Sequence, residues 1–132
     1  NSNYIIAWGS NVPQTRTPDA HFFTEVRYKG TKTVSITPDY SEVAKLTDLW
    51  LNPKQGTDAA LALALMHELI VHDWLDHDYI ARHTVGWEAL RERALQWPPA
   101  RAAGVCGVPV EQIVALARAD GGLRMRITLP LS

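Results

Sequence analysis

Three short segments of the chain carry groups that can bind a nucleotide. Residues 9–11 are small, so backbone N–H groups, a hydroxyl and an amide can come close to a phosphate. Asp39 has a carboxylate of the kind that accepts hydrogen bonds from ribose hydroxyls. Asp58 can accept from the N1–H and the exocyclic amine of guanine. The nucleotide-contacting residues predicted from these groups are Gly9, Ser10, Asn11, Asp39 and Asp58.

Each of these segments also has an ordinary structural explanation. Residues 9–11 match neither the GxGxxG pattern nor a P-loop. Asp39 can equally well be a turn residue or a cap for the next helix. An acid such as Asp58 in a first helical turn is favoured by about 0.3–1 kcal/mol through the helix dipole alone. The residues by themselves therefore indicate a nucleotide-binding module without excluding a purely structural role.

The elements that must position these segments are the strands of a parallel sheet. Apolar, β-branched runs stopped by turn residues predict strands over 4–8, 33–36 and 48–51, and a last one over 125–129. Helices alternate with the first three strands, and ligands of such sheets bind beyond the carboxyl ends of the strands. We therefore predict an α/β fold: a Rossmann-like parallel sheet of three or four strands with flanking helices and a helical second half.

Helices are predicted from capping residues and apolar spacing. Thr17 is the predicted N-cap of a helix that begins at Pro18 and ends at Lys29-Gly30, and Thr57 is the predicted N-cap of a buried helix over 59–72. Further helices are predicted over 41–46, 76–83, 87–96 and 109–119, with Pro98-Pro99 breaking the pattern. The predicted apolar contacts are Phe22, Phe23, Val26, Tyr28, Trp87, Leu90, Leu95, Ile113, Leu116 and Ala117.

Composition excludes several classes of protein. The 132 residues, 46% hydrophobic, suit one globular domain, and we predict a single segment over 1–132. One cysteine excludes a disulfide framework, a thiolate zinc site and an iron–sulfur cluster held by this chain. A net charge of −1 gives no sign of nucleic-acid binding, and the longest apolar run, residues 59–66, is far below the ~20 residues that span a bilayer. The start at Asn1, directly before a strand, predicts a piece of a larger protein.

A cluster of histidines and acids invites a different hypothesis. His67 and His72 are five residues apart, which places them about 140° apart on a helix, whereas a zincin needs two histidines four residues apart on one face. An oxygen-rich metal site remains open if the helix continues beyond His72, and its ligands would be His72, Asp73, Asp76, His77 and Asp78. The alternative is a solvated helix end with capping residues.

Five stretches of the sequence resemble a known family when they are considered together. Residues 1–22, 37–46 (TPDYSEVAKL) and 48–60, which include PKQGTDAA, closely resemble the catalytic alpha subunit of respiratory nitrate reductases. Residues 83–87 (HTVGW) and 107–113 (GVPVEQI) resemble the wider dimethyl sulfoxide reductase family. Members of that family carry molybdenum on two molybdopterin guanine dinucleotides.

The resemblance implies a role for each candidate segment. Residues 9–11 would approach the pyrophosphate or ribose of the cofactor, Asp39 the nucleoside, and Gly56-Thr57-Asp58 the guanine edge. No catalytic residue and no molybdenum ligand is implied within this chain, and the family's iron–sulfur clusters lie in other segments of the parent. Cys106 is interpreted as a small core residue.

The leading hypothesis is a segment that holds the guanine nucleotide end of the cofactor in an oxidoreductase that reduces nitrate to nitrite. The resemblance implies partners in the remainder of the catalytic subunit and in electron-transfer subunits, and a cytoplasmic place at the inner face of the bacterial membrane. The isolated segment is expected to be inactive. Two alternatives stay open: a folded remnant that binds no cofactor and self-associates through exposed apolar faces, and a His/Asp metal-dependent hydrolase.

Overall fold

A computed structural model describes residues 2–118 of the chain. Within this range it contains one three-stranded parallel sheet and eight helices, which confirms the predicted α/β class. The strand predicted over 125–129 lies outside the described residues. The chain divides into two compact units, the first ending at Gly56 and the second beginning at Thr57. That both units act as one cofactor-binding segment stays a prediction.

The first unit contains the whole of the described sheet. Its strands run parallel in the order β1-β2-β3, with Trp8 opposite Ile36 and Ile36 opposite Leu51. The carboxyl ends of all three strands therefore lie at one edge of the sheet. The elements in chain order are β1 (Tyr4–Trp8), α1 (Val12–Thr15), α2 (Thr17–Tyr28), β2 (Lys32–Ile36), α3 (Glu42–Lys45) and β3 (Leu49–Leu51).

The start of α2 differs from the prediction by one residue. Arg16 is the N-cap, Thr17 is the first helical residue, and Pro18 lies in the first turn, where its missing N–H costs nothing. Helix α1, which was not predicted, ends at Thr15 and leaves only Arg16 to join the two helices. The Arg16 guanidinium lies 2.9 Å from the Asp19 carboxylate, so an ion pair covers this helix start.

The core of the first unit contains fewer side chains of α2 than the predicted apolar stripe. Phe23 is buried with Ala7 and Val43, and partly buried side chains pack against them, namely Ile5, Val12 and Leu46. Phe22 and Tyr28 are 58% and 87% exposed, so these two predicted core residues were wrong. Successive helical residues point about 100° apart, and the face that contains Phe23 turns Phe22 away from the sheet.

The described part of the second unit, residues 57–118, is helical, as predicted for most of the second half of the chain. Its longest described helix, α4 (Asp58–Val71), contacts α6 (Trp87–Leu95), α7 (Pro99–Cys106) and α8 (Val110–Arg118). Helix α7 was not predicted, because Pro98-Pro99 indicated a break; Pro99 is instead the first helical residue, a position that tolerates proline. Helix α5 (His77–His83) lies between α4 and α6 in the chain. None of the described helices is long and apolar enough to cross a membrane.

Small residues fill the contacts among these helices. Ala64, Ala94, Ala102 and Cys106 are completely buried, and Ala60 is nearly so, which confirms Cys106 as a core residue. The predicted burial of Ile113, Leu116 and Ala117 is also confirmed. Leu90 and Leu95 are about 40% exposed and were wrong as core residues, because α6 presents Ala94 to its neighbours. Leu90 instead borders an apolar cavity of about 240 Å³ that Trp74, Tyr79 and Trp87 also line.

Asp48 joins β2 to β3 at the amino edge of the sheet. One carboxylate oxygen accepts from the Thr33 N–H at 2.8 Å and from the Thr33 hydroxyl at 3.0 Å, while the Arg27 guanidinium lies 3.7 Å from the other. The hydrogen bond from the Thr33 backbone N–H lowers the pKa of Asp48 below its ordinary value of 3.8. The ionised carboxylate therefore stabilises the folded chain.

We expect Asp48→Asn to lower the free energy of unfolding near pH 7 by about 0.5–1 kcal/mol, a modest loss because the side chain is 43% exposed. A pKa lowered by folding contributes stability above the unfolded-state pKa and loses it as pH falls through the folded-state value. Urea unfolding from neutral to acid pH should therefore show the wild type and Asp48→Asn converging as Asp48 becomes protonated. Asp78→Asn, in the first turn of α5, is the control; a constant difference at all pH values would contradict the assignment.

Candidate functional site

The ladder of the sheet continues one residue beyond its strands. The Gly9 N–H donates to the Ile36 carbonyl at 2.9 Å, and the Thr37 N–H donates to the Leu51 carbonyl at 3.1 Å. Gly9, Thr37 and Asn52 are therefore the residues that leave the three strands at the carboxyl edge. The structure thus brings the predicted segments 9–11 and 37–39 to the same edge of the first unit.

Gly9 contributes its backbone conformation to this edge. Its φ of +61° lies in the left-handed region, and a Cβ at this position would meet nothing within 4 Å. Its N–H is already used by the sheet, so the prediction that residues 9–11 offer bare N–H groups does not hold for Gly9. Ser10, half-buried, and Asn11 supply the polar groups of this segment.

Asn11 connects the first loop to the start of α3. Its side-chain oxygen accepts from the Val43 N–H at 3.2 Å, and its backbone carbonyl accepts from the N–H groups of Gln14 and Thr15. One amide oxygen thus pairs a helix-terminal N–H that has no partner within its own helix. The Asn11 side chain still has its NH₂ group as a donor, so this residue is both structural and a candidate for ligand contact.

The second segment presents a carboxylate beside a buried hydroxyl. The Asp39 side chain is exposed, whereas its carbonyl accepts from the Thr37 hydroxyl at 2.8 Å and from the Ser41 N–H at 3.0 Å. Ser41 is the N-cap residue of α3, yet its Oγ is buried with no hydrogen-bond partner among residues 2–118. Sequence reasoning missed Ser41; the Ser41-Glu42 pair at a helix start was the available signal.

The third segment lies at the start of α4 in the second unit. Gly56 ends the preceding loop with a φ of +76°, and Thr57 is the N-cap residue, as predicted. The Thr57 carbonyl accepts from the N–H groups of Ala60 and Leu61. Asp58 is the exposed first residue of this 14-residue helix, so its carboxylate lies at the positive end of the helix dipole.

The histidine and acid cluster does not form the predicted metal site. Helix α4 ends at Val71, and Asp73 has a φ of +53°, so the helix that this site required does not continue. His77 pairs with Asp73 at 2.6 Å, and His72 lies 3.5 Å from the buried Glu68. Across the described range 2–118, no three His, Cys, Asp or Glu side chains are arranged to hold a metal ion. The hydrolase alternative therefore lacks a site in this part of the chain.

Comparison with known families gives a match over most of the chain. The model of the molybdopterin oxidoreductase family matches residues 1–103. Among solved structures, the acetylene hydratase of Pelobacter acetylenicus superimposes with a TM-score of 0.76 at 27% sequence identity, covering 88% of this chain and 16% of that chain.

Curated relatives include several alpha subunits. The chain is 70% identical over 90 residues to the respiratory nitrate reductase 1 alpha chain of Escherichia coli K12, covering 64% of this chain and 7% of the relative. It is 55% identical over 78 residues to the nitrate reductase alpha chain of Bacillus subtilis 168, covering 59% and 6%. It is 48% identical over 84 residues to the perchlorate reductase alpha subunit of Dechloromonas aromatica RCB, covering 64% and 9%. The chain thus spans less than a tenth of the length of these relatives.

The conformation of Gly9 can be tested with a second glycine as control. Gly9→Ala should destabilise the chain by about 1 kcal/mol, because an alanine in the left-handed region is strained even where space is open. Gly104→Ala, in the interior of α7 with equally open space, should instead stabilise by about 0.5–1 kcal/mol. Urea denaturation of the two variants measures both values; a Gly9→Ala chain as stable as the wild type would refute the left-handed conformation of Gly9.

Proposed function

The chain belongs to the molybdopterin oxidoreductase family, and we propose that it is a cofactor-binding segment of a nitrate reductase-like enzyme, holding the guanine nucleotide end of a molybdopterin guanine dinucleotide. The observation that carries this proposal is the meeting of the strand ends at one edge of the sheet. The segments that follow β1 and β2 there carry a left-handed glycine, a hydroxyl, an amide and an exposed carboxylate.

The chemistry of these groups fits a nucleotide. A nucleotide presents phosphate oxygens, ribose hydroxyls and the edge of a base, which need donors and acceptors in turn. Ser10 and Asn11 supply donors for the pyrophosphate, and the open space around Gly9 admits a close approach. The unpaired Ser41 hydroxyl supports the fit further, since a buried polar atom without a partner costs about 1–3 kcal/mol that a ligand can recover.

The two carboxylates have separate proposed roles. Asp39 accepts hydrogen bonds from the ribose hydroxyls. Asp58, the first residue of α4, accepts two parallel hydrogen bonds, from the N1–H and the exocyclic amine of guanine. A base without that amine, such as hypoxanthine, makes only one of the two bonds.

The work of this segment is to anchor the cofactor. When bound, the molybdopterin supplies the molybdenum centre at which oxidation and reduction take place. Residues of this chain hold the nucleotide tail and thereby help to position the reactive end. In the proposed parent, which reduces nitrate to nitrite at the inner face of the bacterial membrane, iron–sulfur clusters and electron-transfer subunits belong to other segments, and this segment alone is inactive.

The guanine contact is tested by Asp58→Asn. Calorimetric titration with GMP and IMP should show that the wild type prefers GMP, and that the variant binds GMP about tenfold or more weakly with this preference lost. The cause is the replacement of one carboxylate oxygen by an NH₂ group, which cannot accept from guanine.

The matched control is Asp78→Asn, since Asp78 is also an exposed acid in the first turn of a helix of the second unit. It should leave GMP and IMP binding unchanged. Unaltered GMP binding by Asp58→Asn would remove Asp58 from the site. A wild-type chain that binds neither nucleotide would support the alternative of a folded remnant that holds no cofactor.

A further inference from the structure

The Trp50 indole forms two hydrogen bonds to Thr37 that are separate from the backbone hydrogen bonds of the sheet. Trp50 is the middle residue of β3, and the alternation of side chains along a strand places it on the opposite face from the fully buried Leu51. Although Trp50 is only partly buried, its Nε1–H donates to Thr37 twice, to the carbonyl at 3.1 Å and to the hydroxyl at 3.0 Å.

Thr37 links the Trp50 indole to the backbone of Asp39 through its hydroxyl. Thr37 is buried, with only 4% of its surface exposed. Its hydroxyl accepts from the indole and donates its own hydrogen to the Asp39 carbonyl at 2.8 Å. Hydrogen bonds in such a chain strengthen one another. Pro38 stands between the two residues and restricts both its own φ and the conformation of Thr37.

Tyr40 holds the indole from the other end of the turn. Its ring centroid lies 5.0 Å from that of Trp50 at an interplanar angle of 77°, the edge-to-face arrangement that aromatic pairs favour. Trp50 therefore contacts the turn on both sides of Asp39, through hydrogen bonds to Thr37 and through the ring of Tyr40. The Asp39 carboxylate itself is exposed and has no ion-pair or hydrogen-bond partner among residues 2–118.

We propose that Trp50 is a positioning residue whose indole N–H, acting through Thr37, holds Asp39 in place for the ribose hydroxyls of the bound nucleotide. This inference rests on the proposed function and adds to it a residue for ribose recognition. A rigid backbone beneath the carboxylate reduces the conformational entropy that the loop loses when a ligand binds. A merely structural Trp50 would alter stability without distinguishing a ribose from a deoxyribose.

The test compares GMP, 2′,3′-dideoxy-GMP and IMP in calorimetric titrations of the 132-residue chain. Asp39→Asn first defines how much of the preference for GMP over the dideoxy nucleotide depends on the carboxylate. Trp50→Phe, which keeps a ring beside Tyr40 but removes the N–H, should weaken GMP binding by about two- to tenfold. The affinity for the dideoxy nucleotide should not change, so the ratio of GMP affinity to dideoxy-GMP affinity should fall by the same factor. The ratio of GMP affinity to IMP affinity should stay as in the wild type.

Two further comparisons separate positioning from a loss of folding. Thr37→Val removes the relay hydroxyl and should reproduce the effect of Trp50→Phe, while Thr37→Ser keeps the hydroxyl and should retain the wild-type ratio. Trp97→Phe, in the second unit, is the matched tryptophan control and should change neither ratio.

The outcomes distinguish the two proposals. If Asp39→Asn lowers the ratio of GMP affinity to dideoxy-GMP affinity but Trp50→Phe and Thr37→Val do not, the positioning role of Trp50 is wrong while the proposed function stands. If the wild type shows no preference for GMP over the dideoxy nucleotide, ribose recognition by Asp39 is wrong and the role of Trp50 falls with it. Absence of any GMP binding by the wild type overturns the proposed function itself.

Discussion

Two backbone hydrogen bonds beyond the ends of the strands determine how the first unit presents its polar residues. The bonds from Gly9 to Ile36 and from Thr37 to Leu51 extend the parallel ladder into the loops, so the chain leaves all three strands at one level. Parallel pairing alone requires this convergence, because strands of the same direction end on the same side. The loops therefore need no long excursions to bring donors and acceptors together, and short side chains such as Ser10 and Asp39 suffice.

The features predicted correctly are those that depend on local pattern. The strands at 4–8 and 33–36 were found from β-branched, apolar runs bounded by turn residues, and α4 was found from fourteen residues without glycine or proline. The convergence at the carboxyl edge followed from the alternation of strands and helices. Residues 9–11 and 37–39 lie at this edge for the same reason, since their positions depend on where strands end rather than on which side chains surround them. That the candidate residues contact a nucleotide stays a prediction.

The features missed are those that only tertiary contacts decide. The pairing of Asn11 with Val43 and the link from Trp50 to Thr37 join residues from different elements, and no spacing in the sequence indicates them. The burial of the Ser41 hydroxyl without a partner likewise depends on the elements around it. The sequence does not indicate helix α7, because proline breaks most helices, whereas Pro99 is the first helical residue, where the missing N–H has no consequence. The burial of Ala94 in place of Leu90 depends on which helix lies opposite α6.

In the second unit, several of the smallest apolar side chains are more tightly enclosed than some of the larger ones. Ala64, Ala94 and Ala102 have no exposed surface, and interiors packed to this density accept an added methylene only at the expense of a backbone shift. Leu90 and Leu95 are partly open to solvent and have room for other side chains. A larger side chain at one of these alanines is therefore expected to push helices apart, whereas α6 has space for a different side chain at Leu90 or Leu95: the smallest apolar residues set the spacing of the helices.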